Sequence, residues 1–301
     1  MSLRSAYEPG DVRQLGEHIV ERTRAARDAQ LDSLFVGDHH ATGPFPYFQN
    51  VPLMGRLLAE WDERTAGVLM LLPLWHPVLA AEQLGTLASL HRGPFVLQCA
   101  LGAGDHQFRA MGVSLRERVK RFEQGLDIIR RLLAGETVTV PDGPYAFEEA
   151  RIAPITEQRV DVWIGASAPK SIERAARMGD GWLADPGLIP EEAAAQLEQY
   201  RAACAAIGRD PGVIAIRRDV HVGRSAEDAE RVAGPVVAGG YRGFRPAACT
   251  YGSVEQVTEQ CRRFAEMGYT DVIVRHMVND QSEVLGSIER LAEVRAALAD
   301  A

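Results

Sequence analysis

The sequence has 301 residues, of which 46% are hydrophobic and 25% are charged, and its formal net charge is −8. This is the composition of an ordinary globular protein, and the acidic balance argues against nucleic acid as a partner. No apolar run is long enough to cross a bilayer, and the first residues lack the apolar core of a secretory signal. We therefore expect a cytoplasmic protein with neither a membrane nor a nucleic-acid partner.

Segments of strand length alternate with segments of helical periodicity along the whole chain. Short apolar runs bounded by turns predict buried strands, and apolar residues three and four positions apart predict helices. The predicted strands cover residues 3–6, 33–38, 66–72, 95–101, 160–164, 182–184, 213–222 and 271–275. The predicted helices cover residues 11–30, 51–61, 77–91, 114–133, 169–178, 190–207, 225–239, 254–267 and 284–298.

Eight predicted strands, each followed by a helix, indicate an α/β fold with a parallel sheet. At this length the sheet is expected to close into a (β/α)8 TIM barrel, as a single domain over residues 1–301. Two segments interrupt the alternation. Residues 137–155, after the fourth helix, predict a small hairpin with strands at 138–140 and 145–147, and residues 241–252, before the eighth strand, predict an irregular insertion.

Polar residues follow several predicted strands at the point where the strand ends. In barrels of parallel strands the chemistry lies at the carboxyl ends of the strands, so these residues are expected to share one rim. The histidines in such positions are His39, His40, His76, His106 and His276, and Asp38 directly precedes the first two. A single imidazole is more often a capping or packing residue. Their recurrence at one end of the strands favours proton transfer.

Two turns rich in small residues also follow strands. Residues 102–104 carry two glycines, which let a flat ring or a phosphate approach the main chain, but they complete no dinucleotide fingerprint. Residues 165–171 lead into a helix whose start carries Ser167 and Lys170, and free amide groups with a helix dipole favour an anion there. A helix start capped by Ser167, with Pro169 in the first turn, is a compatible structural interpretation.

The cysteines predict neither disulfides nor a metal site. The four of them are far apart and form no C-x-x-C pair: Cys99, Cys204, Cys249 and Cys261. They are expected to be small buried thiols in a reducing compartment. The adjacent His39 and His40 are also poor joint ligands, because neighbouring side chains of an extended chain point in opposite directions. We predict no metal site.

With these features, the chain resembles the luciferase-like monooxygenase family, the barrel oxidoreductases that use reduced flavin or a deazaflavin. The resemblance extends over nearly the whole chain. It rests on residues 25–39, which end with LFVGDH, on PLWHP at 73–77, on LGAG at 101–104 and on the helix that ends with IIRRLL at 128–133. The most specific part is residues 162–182, which begin with VWIGA and end with ARMGDGW.

The resemblance implies roles for individual residues. His39 would lie beside the isoalloxazine ring as a proton donor or substrate contact, with Asp38 as its orienting or capping partner. Asp105 and His106 stand where the chain departs from the family pattern, and either could be a catalytic group. Leu69 and Met70, at a bulge in the third strand, would support the ring. The residues implied to contact the cofactor are Leu69, Met70, Ala103, Gly104, Gly165, Ala166, Ser167 and Lys170.

The implied activity is that of a flavin-dependent oxidoreductase. The first expectation is a monooxygenase that uses reduced FMN and molecular oxygen on a small, largely apolar substrate. The alternative is hydride transfer with a deazaflavin coenzyme of the F-420 type, in which His39 moves the accompanying proton. The resemblance also implies a homodimer and a separate flavin reductase as partners. Two aromatic segments, residues 44–48 and 241–251, are candidate lids over the substrate.

Two other classes stay open. One is a barrel that binds the cofactor without turnover. The other is a barrel enzyme without a redox cofactor, such as an isomerase or aldolase, which would need a lysine or paired carboxylates at the rim. The chain contains only two lysines, Lys120 and Lys170, and Lys120 is predicted on the outer face of a helix, so this class is disfavoured.

Overall fold

The computed structural model describes residues 1–3 and 7–299. The strands are β1 (Ser2–Leu3), β2 (Ser33–Val36), β3 (Thr65–Leu71), β4 (Phe95–Ala100), β5 (Val138–Val140), β6 (Phe147–Ala150), β7 (Val160–Gly165), β8 (Gly181–Ala184), β9 (Val213–Val222), β10 (Cys249–Gly252) and β11 (Asp271–His276). The helices are α1 (Val12–Asp28), α2 (Asn50–Leu57), α3 (Pro77–Leu90), α4 (Asp105–Ala110), α5 (Arg118–Leu133), α6 (Pro169–Met178), α7 (Pro190–Ala206), α8 (Ala226–Ala238), α9 (Val254–Met267) and α10 (Gln281–Ala299). Of the predicted strand 3–6, residues 4–6 lie outside the described residues.

The chain divides into two compact units. The first unit contains the described parts of residues 1–4, 10–34 and 163–301, and the second contains those of residues 5–9 and 35–162. Each unit is described by itself below. The single domain over residues 1–301 stays a prediction.

The second unit is built around the parallel pair β3 and β4. Their register is continuous from Ala66 opposite Phe95 to Leu71 opposite Ala100. Both strands are buried over most of their length, which explains why they appear in the sequence as continuous apolar runs. The strand tolerates no side chain at Gly67, where an added Cβ would overlap the Val96 carbonyl oxygen.

The hairpin of the second unit follows α5, as predicted. Strands β5 and β6 pair in an antiparallel manner, with a register irregularity between Val138 and Val140. The second strand lies at Phe147–Ala150 rather than at the predicted residues 145–147. The shift has a physical reason, because Tyr145 is buried and its hydroxyl bonds to the main chain of Trp75.

The first unit is organised around the long strand β9. Strand β8 pairs with its residues 213–216 and β11 with its residues 215–220, so β8 and β11 occupy opposite edges of β9. Strand β10 pairs with residues 219–222 and therefore continues along the edge that β8 leaves free. The predicted irregular insertion is thus irregular only as far as Ala248, and it ends in a parallel strand.

The α/β class is confirmed, because parallel strands alternate with helices along the chain. Eight strands correspond to those of the predicted (β/α)8 barrel: β1, β2, β3, β4, β7, β8, β9 and β11. The alternation follows from long amphipathic helices such as α9, which begins with a capping box at Ser253 and ends at Gly268 in the left-handed conformation. Among the described residues, no helix has both the length and the apolar character needed to cross a membrane.

The close packing at Gly67 leads to a testable prediction. Gly67→Ala places a methyl group against the Val96 carbonyl oxygen and 2.9 Å from the Phe35 ring, where neither neighbour is a flexible chain end. We expect a loss of about 1–3 kcal/mol in the free energy of unfolding, measured by urea denaturation.

The matched control is Gly55→Ala in the interior of α2. There the nearest atom to an added Cβ is a Leu87 methyl carbon at 3.9 Å, an ordinary contact. This variant should gain about 0.5–1 kcal/mol, since alanine loses less backbone entropy than glycine in a helix. Equal stability of both variants would show that the space at Gly67 is not limiting.

Candidate functional site

The Asp38 carboxylate is buried just beyond the end of β2. Its Oδ2 accepts hydrogen bonds from the Leu71 N–H and from Trp75 Nε1, both at 2.8 Å. Its Oδ1 lies 3.3 Å from His40 Nε2, and the Asp38 side chain is 0% exposed. Because a buried carboxylate without donors is costly, these contacts hold the chain beyond β2 against the end of β3.

The structure pairs Asp38 with His40 rather than with His39, which corrects the expectation that Asp38 orients His39. The His40 ring also packs edge-on against Trp75, with 5.7 Å between ring centroids. The physical reason is the alternation of side chains along an extended chain, which puts residues 38 and 40 on one side and residue 39 on the other. His40 therefore lies beside the Asp38 carboxylate as well as packing against Trp75.

His39 is exposed and lies against the aromatic segment that follows it. Its ring is edge-on to Tyr47, at 5.5 Å between centroids, and its carbonyl oxygen accepts a hydrogen bond from Gln49 Nε2 at 3.1 Å. The N–H of Tyr7 donates to the Pro46 carbonyl oxygen at 3.1 Å. The candidate lid at residues 44–48 is therefore packed beside the imidazole that the resemblance assigns to proton transfer.

Asp105 and His106 lie on the short helix α4, and both are exposed. Asp105 forms an ion pair with Arg109 one turn further along the same helix. Phe108 anchors the helix, because its fully buried ring packs with Leu71 and Leu74. The structure therefore does not bring the predicted acid Asp105 or His106 to the Asp38 carboxylate.

Leu69 and Met70 point to opposite faces of the sheet, so their side chains cannot both support a ring. Met70 pairs with Cys99, and both are fully buried, whereas the partly exposed Leu69 pairs with Gln98. The pairing of β3 with β4 has no register shift here, so it does not contain the predicted bulge. Among the described residues, Gln98 Nε2 is buried without a hydrogen-bond partner. An apolar side chain beside an unused amide donor fits a flat ring with a carbonyl at its edge.

The turn after β4 leaves its main chain open. Gly102 and Gly104 have φ angles of +71° and +82°, which favour glycine. A Cβ added at Gly104 would meet nothing within 4 Å, and Ala103 beside it is exposed. The main chain at Ala103 and Gly104 is therefore accessible to a ligand, and the cofactor contact at these residues stays a prediction.

Two residues of the second unit that the sequence did not single out hold the loop after β3. The Tyr145 hydroxyl donates to the Trp75 carbonyl oxygen at 3.1 Å, and Arg121 Nε donates to the Pro73 carbonyl oxygen at 2.8 Å. Arg121 also lies over the Tyr145 ring, 4.4 Å from its centroid. Burial lowers the pKa of His76, and the nearby positive charge of Arg121 lowers it further. His76 is thus held neutral among aromatic rings.

In the first unit, the turn after β7 offers fewer free groups than expected. The Ala166 N–H donates to the Leu183 carbonyl oxygen at 3.2 Å, and its own carbonyl oxygen accepts from Trp182 Nε1 at 2.8 Å. The N-cap of α6 is Ala168, so the prediction that Ser167 caps this helix is wrong. Ser167 is exposed beside a helix start without a side-chain cap, which keeps it available to an anion.

Lys170 and Gly165 complete the predicted cofactor contacts of this unit. Gly165 is half-buried at the end of β7. Lys170 is exposed and lines a groove between α6 and α7 together with Glu173 and Arg177. Its side chain therefore contributes to a basic groove along the helix as well as to the helix start.

His276 does not present its ring as a free rim residue. It is buried, and its Nε2 lies 3.0 Å from the Ser287 hydroxyl on α10. Burial, followed by the positive charge of Arg22, lowers its pKa to about 3. It is therefore a neutral core residue of the first unit. Within residues 1–3 and 7–299, no group of three or more His, Cys, Asp or Glu side chains could hold a metal ion.

Comparisons with known proteins identify relatives of the chain. The sequence profile described as luciferase-like monooxygenase matches residues 6–247. An F420-dependent glucose-6-phosphate dehydrogenase from Microbacterium testaceum (strain StLB037) is 31% identical over 176 residues, which are 55% of this chain and 52% of that protein. The chain thus spans about half the length of this curated relative.

Solved structures show the same fold. The monooxygenase RslO1 from Streptomyces bottropensis superposes with a TM-score of 0.81 at 20% identity, over 94% of each chain. An F420-dependent secondary alcohol dehydrogenase, solved with an F420-acetone adduct, superposes with a TM-score of 0.79 at 17% identity, over 94% of this chain and 95% of that one. These likenesses confirm the barrel architecture.

The buried His276 predicts a specific acid sensitivity. Its pKa of about 3 lies below the ordinary 6.5, so the folded protein takes up this proton only near pH 3. The unfolded chain takes it up below about pH 6.5. Stability from this group is therefore complete above that pH and falls as the pH decreases, by at most about 1.4 kcal/mol per pH unit.

Urea denaturation from pH 7.5 to pH 4 tests this prediction, with His276→Gln as the variant. The variant should have a shallower decline in unfolding free energy than the wild type. The exposed His106→Gln is the control and should keep the wild-type slope. An unchanged slope in His276→Gln would contradict the prediction.

Proposed function

The chain belongs to the luciferase-like monooxygenase family of enzymes, and from this premise we propose that it transfers a hydride between a deazaflavin coenzyme and a small organic substrate. The observation that carries the proposal is the 31% identity to a relative named for its dependence on F420. A monooxygenase that uses reduced FMN, the first expectation from the sequence, becomes the second candidate. The description of the family supports it.

The residues of the second unit suit the ring of either coenzyme. Leu69 provides a partly exposed apolar surface, and Gln98 Nε2 is a buried donor that can bond to a carbonyl at the ring edge. The open main chain at Ala103 and Gly104 allows close approach. The coenzyme, when bound, supplies or accepts the hydride. In the first unit, Ser167 and the uncapped start of α6 suit an anionic group of the coenzyme.

His39 is the proposed proton carrier. Hydride transfer to a carbonyl requires a proton at the oxygen, and the reverse reaction requires its removal. An exposed imidazole suits both directions, because imidazole ordinarily titrates near neutral pH. The contact with Tyr47 orients the ring. Asp38 contributes indirectly, by fixing the chain that carries His39 to the end of β3.

A homodimer belongs to the same proposal, and a separate flavin reductase belongs to the FMN candidate. Sedimentation of the purified protein measures whether it is a homodimer.

Parallel fluorescence titrations with FMN and with the deazaflavin coenzyme distinguish the two candidate functions. We expect tighter binding of the deazaflavin. Preferential binding of FMN would favour the second candidate, and binding of neither coenzyme would contradict both.

His39→Gln tests the proposed proton carrier. We expect a loss in kcat of about 10²–10⁴-fold, with little change in the dissociation constant of the coenzyme. The measurement is steady-state turnover with the coenzyme that the titrations select, across a panel of small alcohols and sugar phosphates.

His18→Gln is the matched control. His18 lies within α1 of the first unit, where its carbonyl oxygen accepts a hydrogen bond from Gln281 Nε2. This variant should keep wild-type turnover. Full activity of His39→Gln on every substrate would overturn the assignment of His39.

A further inference from the structure

Three arginines and one carboxylate meet beside the end of β9 in the first unit. Arg217 Nε donates to Asp219 Oδ1 at 2.9 Å, and the Tyr241 hydroxyl donates to Asp219 Oδ2 at 2.9 Å. Arg242 Nε lies 3.9 Å from the same Oδ2. Arg275 on β11 is opposite Asp219 in the register, so both side chains leave the same face of the sheet.

This cluster has donors that its own members do not use. Among the described residues, Arg217 Nη2 and Arg275 Nε are buried and have no hydrogen-bond partner. Unpaired buried donors of charged groups are rare and costly, so two in one cluster indicate a binding site for a group that accepts hydrogen bonds. The neighbouring Arg218 is different, because it faces the other way and its Nη1 donates to the Leu188 carbonyl oxygen at 2.7 Å.

The cluster also has unbalanced charge. Arg217, Arg242 and Arg275 carry three positive charges, and the fully buried Asp219 carries one negative charge. Burial, followed by the nearby positive charge of Arg217, lowers the pKa of Arg275 to about 10. Burial and the charge of Asp219 raise the pKa of Tyr241 to about 12, so its phenol stays a neutral donor. The excess is two positive charges.

We propose that Arg217 and Arg275 bind the phosphate group of a phosphorylated substrate, that Arg242 completes the subsite, and that Tyr241 holds Asp219 in place beside it. Guanidinium groups match tetrahedral oxyanions with paired hydrogen bonds, and a dianion balances the excess charge. The assignment of this phosphate group to a substrate rests on the proposed function. The expectation of a largely apolar substrate is thereby replaced by that of a small organic phosphate.

The position of the subsite residues in the chain favours the substrate, rather than the coenzyme, as the molecule that carries the phosphate group. Tyr241 and Arg242 belong to the insertion between α8 and β10, which is an addition to the strand–helix alternation. Loops of this kind determine substrate choice in barrel enzymes. The coenzyme has another candidate anion contact at the start of α6, beside Ser167.

The first experiment uses inorganic phosphate and the protein without coenzyme. Phosphate at about 10 mM, compared with chloride at equal ionic strength, should raise the melting temperature of the wild type by about 3 °C or more. Arg275→Gln should lose this rise. Its stability without phosphate should be unchanged or higher, because the substitution removes an unpaired donor and a repulsive charge beside Arg217.

Two further variants keep this test decisive. Arg275→Lys retains the charge but not the paired donors, and should show less than half of the wild-type rise. Arg263→Gln is the control, since Arg263 is exposed on α9 and pairs only with Glu259 among the described residues, and it should keep the full rise. A wild type that responds equally to phosphate and chloride, or an Arg275→Gln that responds like the wild type, would overturn the proposal.

The second experiment measures coenzyme binding with and without inorganic phosphate, and it distinguishes a phosphate group of the substrate from one of the coenzyme. If the subsite binds the substrate, inorganic phosphate leaves the dissociation constant of the coenzyme unchanged, and Arg275→Gln binds the coenzyme like the wild type. If phosphate raises that constant competitively, the group belongs to the coenzyme and the substrate assignment is overturned. A wild type that binds no coenzyme would contradict the proposed function but not the phosphate subsite, because the melting measurement uses the protein without coenzyme.

Discussion

The second unit depends on the burial of one carboxylate. A carboxylate out of contact with water needs donors around it, and Asp38 accepts hydrogen bonds from the Leu71 N–H and the Trp75 indole, while His40 Nε2 lies 3.3 Å from its other oxygen. Each of these donors must then be held in place. Tyr145 performs this function at Trp75. The hairpin insertion, remote in sequence, thereby becomes part of the support of the strand end that carries the candidate catalytic histidine.

The sequence predicts the architecture well, because the signal for it is local and repeated. The period of apolar residues changes between two and about 3.6 at each boundary, and helices such as α9 have matching caps. Strand β10 escaped prediction since four residues, Cys249–Gly252, carry no alternation and follow two short turns. Its pairing with β9 is a tertiary effect, which a local pattern does not contain.

The candidate site is predicted less completely, because its contacts join distant residues. The sequence identifies His39 and Asp38 at a strand end. Because side chains alternate along the extended chain, however, Asp38 lies beside His40 and not beside His39. Leu69 and Met70 were expected to act together, although the pleat of the strand separates them. The balance of charge around Asp219 becomes visible only when the register places Arg275 beside it.

The position of β10 has a consequence for how such a protein diversifies. The insertion leaves α8 at Gly240, in the left-handed conformation, and returns through a ladder of four residue pairs to β9. Both attachments lie outside the segment that carries Tyr241 and Arg242. Mutation can therefore lengthen, shorten or recharge this segment while the strands that carry it keep their geometry. The insertion is in this sense an exchangeable segment of eight residues, 241–248, that evolution can alter without disturbing the strand pairing on which it is mounted.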